Sequence, residues 1–168
     1  MPASSSDSSG SSDSSAPDAS DVETVERIIH APAATIFALL ADPSRHHEID
    51  GSGTVRDAKA GSQQLQLGSK FGMSMKAGLP YSMVSEVIEF EADRRIAWQT
   101  RPPIALLGKL AGGRIWRYEL EPVAGGTRVR ESWDIRQEQI KPLVRPLRGK
   151  TRKAMTATLA RIEQVVTA

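Results

Sequence analysis

The stretch RIWRYELEPVAGGTRVRESWDI, residues 114–135, decides the fold. Apolar and polar side chains alternate through Arg114–Glu121 and again through Thr127–Ile135. A period of two sends successive side chains to opposite faces, the pattern of a strand with one buried face. Between the runs, Ala124, Gly125 and Gly126 make a tight turn, with glycine supplying positive φ. The whole reads as an antiparallel hairpin. Its inward residues are Trp116, Tyr118 and Leu120 on one strand and Val129, Glu131, Trp133 and Ile135 on the other.

The alternation continues upstream. Phe71–Lys76, Ser82–Glu91 and Arg95–Thr100 read as three more strands, turned at Gly78-Leu79-Pro80 and Ala92-Asp93-Arg94. The pattern turns Phe71, Met73 and Met75 inward, then Val84, Glu86, Ile88 and Phe90, then Ile96, Trp98 and Thr100. Val22–Ile29 is a first, half-buried strand, and Thr54–Ala58 is a short one. Residues 60–69 are polar and bounded by glycine, with room for a further short strand around Leu65–Leu67.

Helical spacing occurs in two places. After His30-Ala31-Pro32, residues Ile36, Phe37, Leu39 and Leu40 lie on one helical face over Ala33–Ala41. Asp42-Pro43 then starts a second short helix, with Asp42 as N-cap and Pro43 at its first position. Near the C-terminus, Leu147, Thr151, Ala154, Met155, Thr158, Leu159, Ile162, Val165 and Val166 form one long apolar stripe. Pro142 and Pro146 place the regular start of that helix close to residue 146.

These elements predict an α+β fold: a curled antiparallel sheet of about seven strands wrapped around a long C-terminal helix, with two short helices after the first strand. Seven strands at ~4.8 Å make a sheet roughly 30 Å wide. A helix with its side chains is about 10 Å across. One helix cannot cover that sheet, so a pocket is expected between them. Its walls would be Phe71, Met73, Met75, Val84, Trp98, Trp116, Tyr118, Glu131, Trp133, Met155 and Leu159. His46 and Ile49, on the second short helix, would form a lid.

The first 21 residues are about half serine with four aspartates, and read as a disordered tail; residues 22–168 read as one domain. The chain carries a net charge of +2, so the domain without its acidic tail carries about +6. Cysteine is absent, which excludes disulfides and thiolate chemistry and fits a reducing cytoplasm, the expected location. No apolar run approaches the roughly 20 residues of a membrane span. The tail has neither the basic start nor the apolar core of a signal peptide.

Three segments carry a resemblance to a known family. They are Ile29–Pro43; Glu86–Phe90 with Arg94–Trp98; and Tyr118–Pro122 with Gly125–Val129. Together with the element order, they resemble the START-like helix-grip (SRPBCC) superfamily, in its polyketide cyclase/dehydrase and lipid-transport branch. The resemblance spans about Val22 to Val166 and departs from the family at Ile49, where relatives usually carry tryptophan. It implies a hydrophobic ligand, such as a lipid, polyketide or isoprenoid, held between sheet and long helix. It fixes no catalytic residue.

Glu86 and Glu131 are the sharpest polar candidates, since each interrupts an apolar inward face. A desolvated carboxyl there has a raised pKa and can anchor a ligand or move protons near neutral pH. The first functional reading is therefore a carrier or sensor of an apolar molecule. The alternatives are a cyclase or dehydratase using these carboxyls, and an interaction module. The last would use the basic run Lys141, Arg145, Arg148, Lys150, Arg152 and Lys153 with the apolar segment 104–110. That run would suit transient contact with an anionic membrane. No cofactor, metal or nucleic acid is expected. Adjacent His46 and His47 point apart on a helix, and no phosphate-binding glycine loop is present. The oligomeric state is left open.

Overall fold

A computed structural model describes residues 21–58, 64–77, 79–103 and 112–168. Strand β1 (Val22–Ile29) leads into α1 (Ala33–Leu40), a 3-10 turn (Pro43–Arg45) and α2 (His46–Ile49). Then come β2 (Val55–Ala58), β3 (Lys70–Ala77), β4 (Leu79–Glu91), β5 (Arg95–Arg101), β6 (Arg114–Val123) and β7 (Gly126–Asp134). The chain closes with α3 (Lys141–Val144), a 3-10 turn (Arg145–Leu147) and the long α4 (Arg148–Val166). All neighbouring strands are antiparallel, in the order β1-β7-β6-β5-β4-β3-β2. The strands from β2 to β7 form a meander, and β1 returns to pair with β7. The curled sheet grips α4, as predicted.

Local chemistry explains the helical segments. The Asp42 carboxylate accepts the Ser44 backbone N–H at 3.0 Å and caps the turn beginning at Pro43. Pro142 and Pro146 each sit in the first turn of a short helical piece, so regular α-helix begins only at Arg148. In α4, Met155, Thr158, Leu159 and Ile162 are buried. Leu147, at the head of the predicted stripe, is exposed. Residues 64–69 form no strand; Leu65 is instead buried in the core, its N–H bonded to the Ala41 carbonyl at 2.8 Å. The turn at Ala92–Arg94 has no glycine, and Asp93 takes the left-handed conformation (φ 62°) that a short polar side chain tolerates.

Strand β4 overturns part of the predicted inward set. Register slips by one residue between Val87 and Glu89, a bulge at Ile88. Phe90 still faces the core, 5.2 Å edge-on to Phe37. Before the bulge, however, the parity is reversed. Ser85 and Val87 are buried, while Glu86 and Ile88 are exposed. Val84 pairs with Gly72 on the outer face, whereas Ser85 pairs with the buried Phe71. Val84 and Glu86 therefore do not face the interior.

Asp21, counted with the tail on composition, belongs to the folded domain. It is buried, and its carbonyl accepts the Ile135 N–H at 2.9 Å. Its carboxylate meets Arg145 at 2.8 Å and Lys141 at 3.3 Å. Residues 1–20 and the segment 104–110 lie outside the described residues.

Candidate functional site

The concave face is built in cross-strand rows. Trp98, Trp116 and Trp133 are direct partners across β5, β6 and β7. The adjoining row runs Ile96, Tyr118, Glu131 and Val25. Direct partners stand about 5 Å apart and share a face, so three indoles make a continuous aromatic floor beside Tyr118 and Glu131. Met155 and Leu159 of α4 are buried in the two hydrophobic clusters built on this floor.

The α2 helix closes over the other end. The His46 ring stacks on Trp98 with centroids 5.2 Å apart and planes at 24°, and Phe71 meets both rings edge-on at 5.6 Å. His46 Nε2 donates to the Leu40 carbonyl at 2.8 Å. Burial lowers the pKa of this imidazole and keeps it neutral, with the Leu40 bond opposing the shift. Ile49 is buried beside it. His47 is exposed, so the two histidines diverge. Gly51 then docks on α4: a Cβ there would lie 2.1 Å from the Ala154 carbonyl oxygen. The Gly51 N–H donates to Thr158 Oγ1 at 3.0 Å. Only glycine permits that approach.

Glu131 is the outstanding polar group of this interior. It is 2% exposed, and Tyr118 donates its hydroxyl proton to Oε1 at 2.8 Å. Oε2 is buried, and among the described residues it has no hydrogen-bond partner and no cation pairs with the carboxyl. Burial raises the Glu131 pKa from 4.5 to about 8; the Tyr118 bond opposes the rise and the charge of Asp50 adds to it. The phenol of Tyr118 is pushed well above its usual range, by burial first and by Glu131 second. Near neutral pH the pair is therefore an un-ionised acid and a phenol.

Phe71, Met73, Trp98, Tyr118, Trp133, Met155 and Leu159 are buried, while Met75 and Trp116 are half-buried against the core. Glu86 lies on the outer surface, 3.5 Å from Lys70. The buried hydroxyl pair Ser85–Thr100, at 3.0 Å, was missed because the bulge hides the inward parity of Ser85. Two of the concavities outlined by described residues are on the surface. One lies among the outer-face charges Arg94, Arg95, Glu119 and Arg128, the other around His30–Ala33 and the β6–β7 turn.

The basic run is not free of acids in space. Glu23, buried at the start of β1, binds both Arg148 and Arg152, the latter at 2.9 Å. With Lys141 and Arg145 held by Asp21, only Lys150 and Lys153 of the run lack an acidic partner among the described residues. No helix among those residues is long and apolar enough to cross a membrane.

A sheet that grips one long helix, with an aromatic concave face and a buried acid on it, defines a helix-grip protein, a fold consistent with hydrophobic ligand binding. Residues 22–167 match the family described as polyketide cyclase / dehydrase and lipid transport, and the chain belongs to it. The uncharacterized protein Rv0088 of Mycobacterium tuberculosis is 41% identical over 108 residues, covering 63% of this chain and 44% of that protein. The chain thus matches less than half the length of this relative. Among solved structures, a protein from Arthrobacter aurescens superposes with a TM-score of 0.68 at 14% identity, covering 88% of this chain and 87% of that one. A protein from Rhodobacter sphaeroides also gives 0.68 at 14% identity, covering 90% and 95%. At such identities the likeness is one of fold.

Proposed function

We propose that this protein binds a hydrophobic small molecule between the concave sheet face and α4, with the molecule's polar end at Glu131 and Tyr118. One observation carries the reading: a buried carboxyl oxygen without a partner among the described residues, set in an aromatic wall. Leaving such an atom unsatisfied costs about 1–3 kcal/mol, and buried polar groups in folded proteins are nearly always bonded. A guest that completes the bond removes that cost. The apolar remainder of the guest would contribute about 25 cal/mol for each Å² it buries. Membership in a family described by lipid transport supports the same reading.

The test is native mass spectrometry of the full chain purified from cells, followed by denaturing extraction. A co-purified apolar compound is expected. If every preparation has the bare chain mass, and the tryptophan fluorescence ignores added apolar compounds, the proposal fails. The same measurement addresses catalysis, for which Glu131 is the remaining acid once Glu86 is on the outer face. Loss of water from the bound molecule in the native protein, but not in Glu131→Gln, would carry the case over to a cyclase or dehydratase.

A further inference from the structure

The ligand-binding reading leaves the chemistry of the guest's polar end open, and the hydrogen-bond inventory around Glu131 narrows it. Tyr118 has one proton and spends it on Oε1. Among the described residues no cation pairs with the carboxyl. An ionised carboxylate without a counter-charge is very costly in an apolar interior. The group therefore holds its proton, and with Oε1 already accepting, the donor is Oε2. No described residue is placed to receive it.

The described elements around it add no competitor. Val25 stands opposite on β1. From α4, the Thr158 hydroxyl is engaged by Gly51 and Ala154. From α2, His46 is neutral and bonded to Leu40. Asp50, at the end of α2, contributes negative charge, and its oxygens already accept from Ser52 and Val55.

We infer that the guest is a neutral apolar molecule carrying a carbonyl oxygen, and that Glu131 Oε2 donates a hydrogen bond to that oxygen. This rests on the ligand-binding reading and deepens it. One donor is matched by one acceptor. A fatty-acid carboxylate would bring an uncompensated negative charge toward Asp50. An ammonium would bring three donors to a site with too few acceptors, leaving N–H groups unpaired. The raised Glu131 pKa agrees, because it keeps the donor proton in place at neutral pH.

A matched bicyclic series tests this on the full chain: tetralin, 2-tetralone, tetralin-2-carboxylate and 2-aminotetralin, titrated by tryptophan fluorescence. At pH about 6 the ketone is expected to bind most tightly. Its affinity ratio over tetralin should fall about tenfold by pH about 9.5, the worth of one hydrogen bond to a buried group. In Glu131→Gln the amide N–H replaces the donor, so the ratio should stay high and lose its pH dependence. In Glu131→Met it should be low at both pH values. Tetralin binding as well as the ketone in the native protein, or a preference for the amine or the carboxylate, overturns the carbonyl inference and leaves the binding reading standing. Failure of all four compounds to bind overturns both.

Discussion

Glu23 and Glu131 lie on neighbouring strands, face the same side of the sheet and are 4% and 2% exposed, yet their surroundings are opposite. Glu23 points at the start of α4, where Arg148 and Arg152 stand about one turn apart and both reach it. Glu131 lies two residues further along the pairing, and its one hydrogen-bond partner among the described residues is a phenol. One carboxylate joins helix to sheet; the other is a neutral acid with a proton to give. A glutamate on a concave face thus has no fixed meaning until the facing helix is known.

The largest expected effect separates the two by pH. The folded chain raises the Glu131 pKa from 4.5 to about 8, so it holds that proton longer than the unfolded chain does. The stability this contributes is complete below about pH 4.5, declines as pH rises, and is lost once pH passes about 8. Glu131→Gln removes the decline while its side-chain oxygen still accepts from Tyr118. The variant should match the native protein near pH 5 and exceed it near pH 9, by roughly 5 kcal/mol at most. Urea midpoints at the two pH values measure this; parallel pH profiles would show that Glu131 is ionised in the fold.

The same chemical change at Glu23 should have the opposite sign. Glu23→Gln leaves two arginines without their counter-charge. Their side chains are 41% and 64% exposed, so water takes up much of the loss. We expect a destabilisation of about 1–3 kcal/mol near pH 7, below the 3–5 kcal/mol typical of breaking a fully buried pair. The loss should shrink at high salt, because exposed charges are screened. A Glu23→Gln variant as stable as the native chain at low salt would mean that α4 is held by its apolar face alone.

The two sites were unequally legible. Alternation through Val129, Glu131 and Trp133 is unbroken, so Glu131 was found by counting, and its partner Tyr118 by the same count on β6. The β3–β4, β4–β5 and β6–β7 hairpins of the meander were legible because short turns join their alternating runs. The pairing of Glu23 with Arg148 and Arg152 was not, since 125 and 129 residues separate the partners. Periodicity within an element says nothing about which distant element supplies a counter-charge. For that reason the basic run read as a surface for an anionic membrane. Gly51 gave no signal either, because its need for close approach comes from the α4 backbone. The Ile88 bulge reversed the reading of β4, as one inserted residue exchanges the two faces.

Glu86 makes the smallest and sharpest comparison with Glu131. In sequence the two look alike, a glutamate amid apolar neighbours on a strand. The bulge places Glu86 outside, its side chain 51% exposed and 3.5 Å from a Lys70 that is 67% exposed. Surface pairs of this kind contribute about 0–1 kcal/mol. Glu86→Gln should therefore change stability by less than about 0.5 kcal/mol, at pH 5 and pH 9 alike. It should leave the binding of 2-tetralone untouched. An alkaline gain like that expected of Glu131→Gln would put Glu86 in the interior, requiring β4 to pair without its bulge, with Ser85 and Val87 turned to solvent.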